Sequence, residues 1–141
     1  WWNQYDEFAA ELEAAEIEIQ AYKEANPELF DDSNIVALTD AESIAKGKEL
    51  FTTKTCTACH LADLGGSIGP NLVDNKWILG GGVKNIFNTL TNGGRPGKGM
   101  IAWENTITRE ERIQLSSYII SMQGTTPAAP KAAEGDITWP E

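Results

Sequence analysis

The pentapeptide Cys56-Thr57-Ala58-Cys59-His60 limits most strongly what this chain can fold around. C-x-x-C-H is the attachment motif of a c-type haem, in which both thiols bond the haem and the histidine binds its iron. The chain has two cysteines and one histidine, so it holds a single such motif. We therefore predict one covalent haem c, attached through Cys56 and Cys59, with His60 as the fifth iron ligand.

Other roles for the motif fit the composition less well. A structural zinc site needs four protein ligands, and no second pair of cysteines or histidines is present. A redox-active dithiol usually follows a strand and has no need of the adjacent histidine. A plain disulfide between Cys56 and Cys59 stays compatible with the composition but leaves His60 without a role.

Two methionines are the thioether candidates for the sixth iron ligand, because the chain has no second histidine that could bind the iron. Met122 lies on the predicted core face of the last helix, where methionine more often packs than ligates. Met100 ends the glycine-rich segment 93–100, which can bring backbone close to a haem face. We favour Met100. Met/His ligation raises the reduction potential and leaves no coordination position open, which suits an electron carrier that is not an enzyme.

The excess negative charge lies in the N-terminal arm. Residues 1–40 carry eleven acidic residues against Lys23 alone, whereas residues 41–141 carry ten acidic and ten basic residues. This distribution lacks the basic surface of nucleic-acid-binding proteins, so we exclude DNA and RNA as partners. The acidic run is interpreted either as a solvated helix face or as a docking surface for a basic partner.

The N-terminal arm is predicted to be an amphipathic helix from Asn3 to Ala25, ended by Asn26-Pro27. The apolar stripe along this helix is expected either to pack on the domain of the same chain or to form a coiled-coil seam. Trp1-Trp2 are either interfacial anchors after a membrane segment that this chain lacks or simply the first stripe residues. No run of 18 apolar residues occurs within the chain itself. The stripe residues are Trp1, Tyr5, Phe8, Leu12, Ala15, Ile19 and Tyr22.

The remaining chain is predicted to be all-α, because no useful period-2 strand pattern appears. A first helix is expected to open with a capping box at Thr39–Glu42, and the last with one at Thr108–Glu111. A central helix carries apolar residues from Val83 to Leu90. The predicted domains are an acidic helical extension (1–38), a haem domain (39–124) and an irregular, Pro/Ala-rich C-terminal tail or linker (125–141).

Several of these residues resemble the class I cytochrome c family. Gly47 and Phe51 on the first helix and Tyr118 on the last resemble that family's helix-crossing contact, and residues 69–72 (Gly-Pro-Asn-Leu) resemble its post-haem loop. The resemblance implies the class I cytochrome c fold, here with an acidic N-terminal helical extension. It also implies that the Pro70 carbonyl accepts the N–H of His60.

The resemblance is closer still to the cytochrome c subunit (subunit III) of cbb3-type cytochrome c oxidases. It implies Met100 as the distal iron ligand, and Trp77, Arg95 and Trp103 as donors to the haem carboxylates. Relatives often carry two C-x-x-C-H motifs and proline after the ligand methionine, whereas this chain has one motif and Ile101. The matching segments are Gly65-Gly66, Gly69-Pro70-Asn71-Leu72, Trp77, Gly80-Gly81-Gly82, residues 93–97, residues 99–103 and residues 118–121.

The family implies a role in a bacterial respiratory chain. We expect one-electron transfer to a terminal oxidase, with the chain as its subunit or tethered domain on the periplasmic side of the cytoplasmic membrane. The alternative is a free soluble periplasmic carrier between respiratory complexes. Two further rivals are a haem peroxidase, which needs an open iron site and a distal acid–base residue, and an interaction module without haem.

Overall fold

The computed structural model describes residues 2–141, and the chain divides into two units. The first ends at Asn34 and the second covers Ile35–Glu141. The second unit thus includes residues before the predicted boundary at 39. Ile35 is buried, and the backbone N–H of Leu38 donates to the Ser117 hydroxyl over 2.9 Å. This connecting segment is therefore packed as part of the larger unit.

The first unit is mostly one helix, α1 (Trp2–Ala25), followed by two 3-10 turns at Pro27–Phe30 and Asp32–Asn34. The helix ends where the Asn26-Pro27 sequence predicts. Tyr22 packs edge-on against Phe30, with 6.1 Å between ring centroids. The large stripe residues from Tyr5 to Tyr22 are all more than half exposed. The proposed Trp1-Trp2 anchor is not described, because Trp1 and the side chain of Trp2 lie outside the part of the chain that the structure describes.

The second unit contains four helices: α2 (Ala41–Thr53), α3 (Thr57–His60), α4 (Val83–Asn92) and α5 (Arg109–Ser121). Among residues 35–141 the only strands are β1 (Lys76–Trp77) and β2 (Ile137–Thr138), so the all-α fold class is confirmed. Within the part of the chain that the structure describes, no helix combines the length and apolar composition of a membrane span.

One of the two predicted helix caps is confirmed and the other is wrong. Thr108 and Glu111 form the expected capping box at the start of α5, with reciprocal bonds of 3.1 and 3.2 Å. At α2 the cap is Asp40 and not Thr39. Asp40 has an extended backbone, and its carboxylate accepts the N–H of Ser43 over 2.9 Å. The stronger acceptor next to Thr39 therefore starts the helix one residue later.

Helices α2 and α5 cross at Gly47, which is the contact that the resemblance implies. A Cβ atom on Gly47 would lie 2.7 Å from Cβ of Tyr118 and would also strike the Gln114 carbonyl. One turn later, Phe51 meets Tyr118 edge-on with 5.7 Å between ring centroids. The missing side chain at Gly47 thus allows the two helices to approach closely.

We expect Gly47→Ala to lower the free energy of unfolding by about 1–3 kcal/mol, because the added methyl group overpacks the helix crossing. This loss outweighs the roughly 0.5–1 kcal/mol that alanine usually adds within a helix. Chemical denaturation measures it. The exposed neighbour substitution Lys48→Ala is the control and should change stability by less than about 0.5 kcal/mol. Equal stability of the two variants would contradict the close crossing.

The Pro/Ala-rich tail is not a free linker. Strand β2 pairs antiparallel with β1 through Lys76 with Thr138 and Trp77 with Ile137. Ahead of it, the N–H of Lys131 donates to the Gly65 carbonyl over 2.8 Å. Residues 125–141 are therefore mostly irregular in conformation but return to the surface of the second unit.

Candidate haem site

The C-x-x-C-H motif forms the short helix α3, with Cys56 at its N-terminal cap position and His60 as its last residue. Cys56 and Cys59 are free, partly buried thiols, so the disulfide alternative is not the arrangement found. Burial raises the pKa of the Cys56 thiol. One helical turn thus presents two reduced sulfurs and an imidazole side by side.

His60 is held by the loop that follows it. Its Nδ1 lies 2.9 Å from the Pro70 carbonyl oxygen, which can only accept, so Nδ1 carries the proton and Nε2 keeps its lone pair. Burial is the main cause of a lowered pKa of His60, and it outweighs the opposing effect of the Pro70 bond. The predicted Pro70 contact is present. The ring is therefore neutral and oriented as an iron ligand requires.

Gly69 lies directly against the His60 ring. A Cβ atom at this position would lie 2.6 Å from Cε1 and 2.8 Å from Nδ1 of the imidazole. The Gly69 backbone thus lies against one side of the ring, while the carbonyl of the next residue, Pro70, accepts the hydrogen bond from Nδ1–H. From the sequence, Gly69 is recognised only as part of the motif at residues 69–72, and this contact with His60 was not predicted.

Met100 is positioned by a loop that closes on itself after α4. Gly93 ends the helix with a φ of +87°, and the N–H of Gly94 donates to the Met100 carbonyl over 3.1 Å. A Cβ atom on Gly94 would lie 2.9 Å from Cβ of Met100. Glycine at both positions therefore allows the two ends of the loop to meet, which holds Met100 at the edge of the core.

The segment after Met100 is held by a buried arginine that the sequence analysis did not single out. Arg112 donates from Nη1 to the carbonyls of Ile107 and Glu104, over 2.8 and 3.2 Å. The backbone N–H of Trp103 donates to the Leu90 carbonyl over 2.8 Å. These bonds fix the backbone of the segment between Met100 and α5, which includes Trp103.

All eight predicted site residues line one cavity of about 490 Å³. This volume lies within the roughly 300–1,000 Å³ of small-molecule and cofactor sites. Met122 does not line the cavity; it caps the end of α5 and packs against the core. Apolar side chains from several elements complete the wall, among them Phe51, Leu72, Ile86, Leu90, Leu115 and Ile119. The eight are Cys56, Cys59, His60, Pro70, Trp77, Arg95, Met100 and Trp103.

Trp77, which is expected to donate to a haem carboxylate, has a partner for its indole N–H within the protein. Its indole N–H donates to the Trp139 carbonyl over 3.3 Å, and the two rings pack edge-on at 6.3 Å. Trp77 therefore contributes an apolar wall, and its N–H is already bonded within the protein. Arg95 and Trp103 line the same cavity and stay the candidates to donate to a haem carboxylate.

Among the described residues that line the cavity, Glu134 is the one acidic side chain, and it was not predicted from the sequence. It comes from the C-terminal tail, where no motif or periodicity marks it. Its carboxylate pairs with Lys131, three residues earlier. The hydrogen bond from Lys131 is the main cause of a lowered pKa of Glu134, and the charge of Arg95 acts in the same direction.

The residues present fit a covalently attached haem. Two free thiols, a neutral imidazole with Nδ1 bonded to a carbonyl, and a thioether share one cavity with a mainly apolar wall. This donor set is the one that a c-type haem with Met/His ligation requires.

Comparison with known proteins supports the same assignment. The family model described as cytochrome C oxidase, cbb3-type, subunit III matches residues 42–119. The chain is 32% identical over 111 residues to a cbb3-type cytochrome c oxidase subunit CcoP of Azospirillum sp. (strain B510), covering 70% of this chain and 37% of the relative. It is 35% identical over 122 residues to the FixP subunit of such an oxidase from Azorhizobium caulinodans, covering 79% and 38%.

A solved structure of similar fold is cytochrome cL from Methylophaga aminisulfidivorans. It is 30% identical, with a TM-score of 0.55, covering 60% of this chain and 56% of that one. Together with the helices described above, this likeness bears out the class I cytochrome c fold. The chain spans less than two fifths of the length of the two curated relatives.

Proposed function

The chain belongs to the family of cytochrome c oxidase, cbb3-type, subunit III, and on that premise we propose that it passes single electrons through one covalent haem c with His60 and Met100 as iron ligands. The observation that carries the proposal is the single cavity that brings both thiols, the His60 ring and Met100 together. A bound haem supplies an iron couple that takes up and releases one electron at a time.

The chain's own residues would prepare the site for this role. Cys56 and Cys59 would hold the haem covalently, and Nε2 of His60 would bind the iron. The bond from Nδ1 to Pro70 sets the ring's tautomer and orientation, while Gly69 limits its movement. The apolar wall excludes water, which disfavours the more highly charged oxidised state and so raises the reduction potential.

Ligation by both His60 and Met100 would leave no iron position open for a substrate. The protein is accordingly an electron-transfer component and not itself an enzyme. A peroxidase would also need an acid–base group beside the open position. The chain has no second histidine to supply one, and Glu134 is already paired with Lys131.

We propose a terminal oxidase as the redox partner, with the chain as its subunit or tethered domain. The curated relatives are named as subunits of cbb3-type oxidases, which supports this partner. The proposed location is the periplasmic side of the bacterial cytoplasmic membrane. The reason is that the C-x-x-C-H attachment motif resembles that of bacterial proteins that receive their haem outside this membrane. The proposed tether is a segment outside residues 1–141.

Substitution of each methionine tests the ligand assignment. We expect Met100→Ala to abolish the iron–thioether charge-transfer band in the optical spectrum of the oxidised protein and to lower its reduction potential. Met122→Ala is the matched control and should keep the band, because Met122 packs against the core and does not line the cavity. A band that persists in Met100→Ala and is lost in Met122→Ala would transfer the assignment to Met122. A colourless purified protein would refute the haem itself.

A further inference from the structure

Residues 125–141, the C-terminal strap, join the two loops that flank the cavity. The first half of the strap lies on the loop after α3: the N–H of Ala128 donates to the Asp63 carboxylate over 3.1 Å, and buried Pro127 packs on Gly65. Its second half lies on β1 and the turn before α4, where Trp139 packs against Trp77. The strap thus spans from the loop that holds His60 to the opposite wall residue Trp77.

Between these two attachments the strap contributes a charged group to the cavity. Glu134 lines the cavity, and the Oε1 atom that faces Lys131 is buried although the side chain as a whole is about one-third exposed. Lys131 is itself fixed, since its backbone bonds Gly65 and its ammonium group reaches the Ile68 carbonyl over 3.4 Å. Arg95 lines the same cavity, and its charge contributes to the lowered pKa of Glu134.

We propose that the C-terminal strap is an integral part of the haem site, and that Glu134 is a positioning residue at the cavity wall that holds the Lys131 ammonium group in an ion pair and lowers the reduction potential of the haem. This inference rests on the proposed function. It concerns residues beyond the family match, which ends at residue 119.

The direction of the effect follows from charge. The oxidised haem iron carries one more positive charge than the reduced iron, so a nearby carboxylate stabilises the oxidised form and lowers the potential. Glu134 also offsets the positive charges of Lys131 and Arg95. Removing its charge therefore raises the potential through both effects, whereas removing the charge of Lys131 lowers it.

The test is a redox titration of the holoprotein and three variants, each first shown to carry covalent haem by its optical spectrum. Glu134→Gln should shift the midpoint potential upward, and Lys131→Gln should shift it downward. Asp136→Asn is the matched control: it removes the same charge from the same strap, but Asp136 is exposed and does not line the cavity. Its shift should be clearly smaller, because solvent and salt screen it.

The opposite signs separate an electrostatic role from a structural one. Loosening of the strap would move the potentials of Glu134→Gln and Lys131→Gln in the same direction, which would overturn the role of Glu134. Equal shifts for Glu134→Gln and Asp136→Asn would also overturn it, since net charge alone would then explain them. In either case a haem-containing wild type would leave the proposed function standing. A wild type isolated without haem would overturn both.

Discussion

The variant that carries both Cys56→Ala and Cys59→Ala is expected to have no stable tertiary structure in its second unit. Without covalent attachment, the core surrounds a cavity of about 490 Å³ lined by apolar side chains such as Leu90, Leu115 and Ile119. Without the haem these side chains lack packing partners on one side, and the lost contacts are large against a typical stability of about 5–15 kcal/mol. Folding and haem attachment should therefore be coupled.

Amide hydrogen exchange and near-ultraviolet circular dichroism measure this outcome. We expect the doubly substituted chain to exchange its α2 and α5 amides without strong protection and to lose its aromatic signal. Thr57→Ser, between the two cysteines, is the control, because it keeps both thiols and should keep covalent haem and native protection. A haem-free double variant with protected α2 and α5 amides would show that the protein fold alone is sufficient.

Residues whose chemistry is local were predictable from the sequence. The C-x-x-C-H spacing alone places two thiols and an imidazole on one helical turn, because the motif spans a single turn of α3. The glycine-rich loop before Met100 was predictive for a similar reason: Gly93 has a positive φ, and a side chain on Gly94 would collide with Met100. Such backbone conformations and close contacts require glycine, so the residue type itself indicates them.

Contacts between residues far apart in the chain were not predictable in this way. Trp77 and Trp139 are separated by 62 positions, and neither has a sequence pattern that names the other. The same holds for Glu134, which reaches the cavity only because β2 pairs with β1 and Lys131 bonds Gly65. A two-residue strand gives no periodicity to detect. The irregular conformation of the tail was therefore predictable from its composition, but the surface on which it packs was not.

The N-cap residue of α2, Thr39 or Asp40, could not be predicted from the sequence for a different reason. Both residue types favour the N-cap, and Glu42 three positions after Thr39 completes an apparent capping box. The structure uses Asp40, whose carboxylate accepts the Ser43 N–H. Neighbouring residues with similar propensity are separated only by small differences in local geometry, so helix boundaries are less certain than helix identity.

At Gly69, a single added methyl group should disturb His60, the proposed proximal iron ligand. In Gly69→Ala the new Cβ would lie 2.6 Å from Cε1 of His60, and the ring cannot simply turn away because Nδ1 is bonded to Pro70. We expect the free energy of unfolding to fall by about 1–3 kcal/mol, as for overpacking elsewhere. The paramagnetically shifted NMR signals of the His60 ring should also move, while the haem stays covalently attached.

Gly97→Ala separates this steric effect from backbone strain. A Cβ atom on Gly97 meets nothing within 4 Å, but its φ of +74° disfavours alanine by about 1–2 kcal/mol. Gly69 has no such positive φ, so its substitution acts through contact alone. The two variants should therefore lose comparable stability, and only Gly69→Ala should shift the His60 signals. If both variants left those signals unchanged, Gly69 would have no part in holding the ring, and the Pro70 bond alone would set the orientation of His60.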